Sequence, residues 1–98
     1  MSEIRFEWDP RKARANLRKH GVSFEEASTA FYDDFGLLLD DPDDKVQEDR
    51  FILLGLSSGV RLLVVVHCFR EPEETIRIIS ARQADRYETA LYQEQLRP

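Results

Sequence analysis

Thr75-Ile76-Arg77-Ile78-Ile79-Ser80-Ala81-Arg82-Gln83-Ala84-Asp85-Arg86 decides the fold, because it reads as a strand that runs directly into a helix. Ile76 and Ile78 alternate with Arg77 and Ile79, the two-residue period of a strand over 75–80. Ser80, with Gln83 three residues on, has the spacing of a helix capping box. It predicts a closing helix over about 82–95 with Ala84, Tyr87 and Leu91 on one face. Arg77 then lies before the junction, and Arg82 and Arg86 lie beyond it.

Upstream of this stretch, strands are predicted at 36–40, 50–56 and 61–69. Ser58-Gly59 forms a tight turn between the last two, and Pro72 marks the loop before residue 75. The beginning of the chain is different. Residues 4–8 alternate as a short first strand, and Asp9-Pro10 then starts a helix over 10–20. The aspartate caps free amide donors and proline suits the first helical position. Gly21 suits the left-handed residue that closes this helix. Ser23 and Glu26 repeat the capping-box spacing ahead of a second helix over 24–32, whose Phe24, Ala27, Ala30 and Phe31 have core spacing. The predicted order is a short first strand, two N-terminal helices, an antiparallel sheet and a C-terminal helix, an α+β layout in one domain over 1–98.

With 98 residues and 42% hydrophobic content, the chain supports one compact core. No apolar run approaches the roughly 20 residues of a membrane helix, and no secretory pattern opens the sequence, so a cytoplasmic location is expected. Cys68 is the only cysteine and sits in an apolar run, as a small buried hydrophobe would. Together with His20 and His67 it makes no zinc constellation, and neither a metal nor a cofactor is expected. The net charge of -5 argues against wrapping nucleic acid by bulk electrostatics. The cations are concentrated, however: Arg11, Lys12, Arg14, Arg18 and Lys19 share one segment, while 40–49 is acidic.

Strand register sharpens this. A turn at Ser58-Gly59 sets Ile52 opposite Val65 and Arg50 opposite His67, and a loop centred on Pro72 sets His67 opposite Arg77. Arg50, His67 and Arg77 then stand side by side across three strands, with Glu48 on Arg50's side. Adjacent cations of this kind invite a phosphate or a partner acid. For RNA cleavage His67 supplies proton transfer near neutral pH, and Arg50 and Arg77 hold the phosphate. Glu48 is the candidate acid of the set. Arg82 adds charge near the predicted helix start, Lys19 and His20 end the first helix, and Tyr92 is the better exposed stacking residue. These four are the RNA-binding candidates. A one-residue change of register would give His67 other neighbours.

Residue blocks along nearly the whole chain resemble the BrnT toxins of type II toxin–antitoxin systems. They are Phe6-Glu7-Trp8-Asp9-Pro10 with Lys12 and Asn16, Lys19-His20-Gly21-Val22-Ser23-Phe24-Glu25-Glu26-Ala27, and Glu48-Asp49-Arg50 with Gly55. Leu63-Val64-Val65-Val66-His67 and Ile76-Arg77-Ile78-Ile79-Ser80-Ala81-Arg82 follow, with Ala84, Glu88 and Tyr92. The resemblance implies a compact RelE-like domain that cleaves RNA, inhibits translation and arrests growth. It implies a ribbon-helix-helix, BrnA-like antitoxin as partner, with operator DNA bound only through the antitoxin complex. The alternative is a catalytically inactive binding module that serves as antitoxin partner and co-repressor.

Overall fold

The computed structural model describes residues 4–41, 50–70 and 74–97. Its elements are β1 (Arg5–Glu7), α1 (Pro10–His20), α2 (Phe24–Thr29), a 3₁₀ turn (Ala30–Tyr32), β2 (Leu37–Asp40), β3 (Arg50–Leu56), β4 (Leu62–Arg70), β5 (Thr75–Gln83) and α3 (Arg86–Gln95). The first helices begin where local chemistry places them. Asp9 accepts from the Arg11 amide at 2.9 Å, Pro10 takes the first turn, and Gly21 closes α1 at a φ of 69°. Ser23 Oγ accepts from the Glu26 amide at 3.0 Å to start α2. The expected second helix tightens into the 3₁₀ turn for its last residues.

The sheet order is β1-β5-β4-β3-β2. Strands β2 to β5 form an antiparallel meander, and β1 adds to the edge parallel to β5. On one face, α1, α2 and the 3₁₀ turn bury Val22, Phe24 and Ala27 against Leu53, Val65 and Ile78. The side chains between these point the other way, as the strand pleat requires, and Leu54 and Val64 meet Tyr92 of α3. Fully burying a side chain such as Phe24 or Leu63 contributes about 1.5–3 kcal/mol. Gly55 lets the helical layer approach: a Cβ there would lie 2.8 Å from the Ala30 carbonyl oxygen.

Two departures from the expected register matter. The β3–β4 turn holds one residue more than the predicted Ser58-Gly59 pair. The Ser57 amide donates to the Arg61 carbonyl at 2.8 Å and the Val60 amide to Ser57 at 2.9 Å, closing a loop of Ser58, Gly59 and Val60. Val60 takes the left-handed position at φ 62°, normally a glycine's role, at a strain cost of about 1–3 kcal/mol. The neck of this hairpin is held from outside. Glu26 accepts from Ser57 Oγ at 2.7 Å and from Arg61 Nε at 3.0 Å, fixing Ser57 and Arg61 together. Arg50 is therefore opposite Cys68, Phe51 opposite His67, and Ile52 opposite Val66.

The second departure lies in the stretch read first. Rather than becoming helix at Arg82, β5 continues to Gln83, because the nine-residue β4 offers pairing along that length. The helix starts later, at Asp85, which accepts from the Glu88 amide at 2.8 Å while the Glu88 carboxylate accepts from the Asp85 amide at 2.8 Å. The real capping box is thus Asp85 and Glu88, and Ser80 pairs with Val66 in the sheet. Between the His67–Ile78 and Val66–Ser80 pairs the register shifts, leaving Ile79 as a β-bulge.

Candidate active site

The bulge determines which charges meet. Arg77 and Arg82 are five residues apart, an odd separation that an unbroken strand would split between faces. With Ile79 inserted, Arg77, Ser80 and Arg82 pair with Cys68, Val66 and Val64, alternate residues of β4 on the α3 face. Arg50 joins them there, opposite Cys68 on β3. Arg50, Arg77 and Arg82 therefore share one side of the sheet. Glu7, aligned with Arg77 on β1, receives a hydrogen bond from Arg77 Nη1 at 2.9 Å. Arg82 makes two parallel bonds to Glu88, at 2.8 and 2.7 Å, and these hold the Glu88 carboxyl below its ordinary pKa.

Helix α3 covers only part of this face. Beside the arginines, between α3 and the sheet, lies a cleft of about 340 Å³ with Ile52, Leu54 and Val64 among its lining residues and Tyr87 and Leu91 contributed by the helix. Tyr87 is 77% exposed, whereas Tyr92 is 7% exposed and packs into the core. This reverses the expected exposure of the two tyrosines. Because α3 starts at Arg86, its inward stripe passes through Glu88, Leu91 and Tyr92; Ala84 and Leu91 pack against the core as expected, and Tyr87 does not. The Tyr92 hydroxyl donates to Asp33 at 2.6 Å, and its pKa is pushed up to about 12 by burial and by that carboxylate. Burial alone would raise Asp33, but the Tyr92 hydroxyl and the Leu56 and Phe35 amides outweigh it and hold the carboxyl below its usual value.

His67 does not stand between Arg50 and Arg77. The one-residue shift turns it to the opposite face, where it is 0% exposed. Phe31, Phe69 and Phe51 surround the ring at centroid distances of 4.8, 5.4 and 6.2 Å. Nδ1 lies 3.0 Å from the Val65 carbonyl, so the ring donates there, and Nε2 has no hydrogen-bond partner among the described residues. Burial lowers the imidazole pKa below 6.5, with the Val65 bond acting in the opposite direction.

The neutral ring is therefore the folded form, and the unfolded chain binds the additional proton. Its contribution to stability is complete above pH 6.5 and is lost as pH falls from there through the lowered folded value. Thermal midpoints are expected to drop between pH 7 and 5, and His67→Phe should flatten this fall. An equal slope in the variant would assign it to other groups. The depressed carboxyls Glu26, Asp33 and Glu88 act in a more acidic window, below their ordinary 4.5, 3.8 and 4.5.

The remaining sequence candidates disperse. Glu48 lies outside the described residues. Lys19 and His20 end α1 on the other side of the sheet, where Arg61 donates to the adjacent Gly21 carbonyl at 3.1 Å. That places them at the hairpin end of the molecule, away from the row of Arg50, Cys68 and Arg77. Glu7 was not among the candidates. Its contact with Arg77 depends on a parallel pairing between the first and last strands, which has no local signal.

The family model for the ribonuclease toxin BrnT of type II toxin–antitoxin systems matches residues 8–88. The chain belongs to the BrnT family. BrnT proteins are ribonuclease toxins paired with an antitoxin, which makes RNA the family's substrate class. The crystal structure of the Brucella abortus ribonuclease toxin BrnT, at 21% identity, covers 86% of this chain and 100% of its own, with a TM-score of 0.64. At that identity it supports the shared α+β fold. No curated protein matches this chain. Among the described residues, no helix is long and apolar enough to cross a membrane.

Proposed function

We propose that this BrnT-family chain is a metal-independent endoribonuclease whose reacting phosphate sits at Arg50, Arg77 and Glu7. The observation that carries the reading is the in-register row of Arg50, Cys68 and Arg77, with Glu7 bonded to Arg77. Strand spacing of about 4.8 Å sets the two arginines on either side of β4, close enough for both guanidinium groups to hold one phosphate. In the reaction the ribose 2′-oxygen attacks the neighbouring phosphorus and its proton passes to the Glu7 carboxylate. The guanidinium groups stabilise the charge that builds on the phosphorane oxygens. The bond to the 5′-oxygen breaks, and that oxygen takes a proton from solvent. The products are a 2′,3′-cyclic phosphate and a 5′-hydroxyl.

In the cell this activity arrests translation and growth in the cytoplasm until a BrnA-like ribbon-helix-helix antitoxin covers the toxin. Operator DNA is contacted through the antitoxin. The deciding experiment incubates antitoxin-free protein with single-stranded RNA in excess EDTA. Fragments ending in cyclic phosphate are expected. Cleavage only after magnesium is restored would overturn the metal-independent route. Absence of cleavage together with absence of growth arrest would favour a non-catalytic antitoxin partner and co-repressor, a reading to which the neutralising pairs Arg77–Glu7 and Arg82–Glu88 lend support.

A further inference from the structure

We propose that the cleft between α3 and the sheet is a nucleobase site, receiving one unpaired base of the RNA against the Tyr87 ring. This rests on the RNA-cleaving reading above and adds a binding site to it. The cleft's volume of about 340 Å³ falls at the small end of ligand pockets, which run from roughly 300 to 1,000 Å³. Ile52, Leu54 and Val64 line it from the sheet, and Tyr87 lines it from the helix. Flat aromatic and aliphatic surfaces suit the π-face of any base, and a base can enter only if it is splayed from its neighbours.

The arginines along this face of the sheet, rather than the lining of the cleft itself, favour a nucleic-acid occupant over an apolar protein segment. Asp40 and Glu88 are the charged residues that line the cleft, and Glu88 is bonded to Arg82 through both oxygens, which offsets its charge and places a guanidinium at the cleft's edge. Arg82 lies on the same face as Arg77 and Arg50. From Arg77 to Arg82 the strand face spans roughly 13 Å once the bulge is discounted. A single strand held at Arg50 and Arg77 and continuing past Arg82 carries its next base to the cleft mouth. The packing of α3 leaves Tyr87 available for this, because Leu91 and Tyr92 supply the helix's contacts to the core.

The test measures binding by fluorescence anisotropy of two cleavage-resistant 2′-O-methyl octanucleotides, one bearing bases and one with abasic positions. The wild-type chain is expected to favour the base-bearing strand about tenfold, the scale of one base stacked on an aromatic ring. Tyr87→Ala should abolish that preference while leaving affinity for the abasic strand unchanged, and Tyr87→Phe should retain it. An undiminished preference in Tyr87→Ala, or equal weakening on both strands, overturns the nucleobase site. An undiminished preference accompanied by a weakened antitoxin complex also overturns it and gives the cleft to the protein partner. Rates of RNA cleavage keep the two readings apart: a wild type that cleaves RNA without a Tyr87-dependent base preference sinks this inference alone. A wild type that neither binds nor cleaves RNA sinks the ribonuclease reading as well.

Discussion

Arg77→Ala is expected to lower the single-turnover rate of RNA cleavage by about two to three orders of magnitude, the usual effect of removing one preorganised donor from a developing oxyanion. Arg77 is the more telling of the two row arginines because its partner is identified. The Glu7 bond at 2.9 Å orients the guanidinium, and both side chains remain partly exposed, as contact with an arriving phosphate requires. That exposure also separates function from folding. An ion pair of this kind contributes about 0–1 kcal/mol, so the variant should unfold at nearly the wild-type midpoint. Arg77→Lys retains a charge without the planar fork and should recover only part of the rate. A rate within threefold of wild type in Arg77→Ala would remove this residue, and the row it defines, from the reaction. Glu7→Gln provides the companion measurement, since it removes the proposed proton acceptor and leaves an amide of similar shape.

Asn16→Ala is expected to destabilise the fold by about 3 kcal/mol, a large part of the roughly 5–15 kcal/mol that holds a domain of this size together. Asn16 is the buried polar residue of α1. Its Nδ2 donates to the Val22 carbonyl at 2.9 Å and the Ala81 carbonyl at 2.8 Å, while its Oδ1 accepts from the Ala81 amide at 3.1 Å. One side chain thus joins the first helix, the connection after it and the bulged strand. Alanine would leave three backbone groups short of partners, each costing about 1–3 kcal/mol when no water reaches it. Asn16→Asp would retain the acceptor but lose both donors and bury a charge, so it offers no rescue. In urea titrations the midpoint should fall with an unchanged slope. An unshifted midpoint would show that water or a small rearrangement satisfies all three groups. The effect should extend to function, because β5 carries both Arg77 and Arg82.

The parts of this structure that were legible in the sequence are those governed by neighbours in the chain. Asp9-Pro10, Gly21 and Ser23 act within one helical turn, and the first two helices begin where those residues predict. Continuous apolar runs in Arg50–Leu56 and Leu62–Arg70, broken by the turn at Ser58-Gly59, mark strands for the same local reason. Even the pairing of Arg50 with Arg77 across β4 was within reach. The register of each hairpin is displaced by one residue in the same sense, so only the middle member changes, from His67 to Cys68. That small displacement moved the histidine from the arginine-bearing face into an aromatic core.

Tertiary structure decided the remainder. Whether the β3–β4 loop holds two residues or three depends on Glu26, contributed by a helix on the other side of the turn. The Ile79 bulge brings Arg82 onto Arg77's face, and the helix phase that buries Tyr92 and exposes Tyr87 follows from how far β4 keeps β5 extended. Glu7 reaches Arg77 only because the first strand pairs with the last. Taken alone, residues 75–86 determined that a strand leads into a helix and that arginines cluster at the join. They could not determine which arginines face the same way. A pleat alternates with a period of two, so one inserted residue reverses every side chain beyond it, and the contacts that set the insertion come from elements distant in sequence.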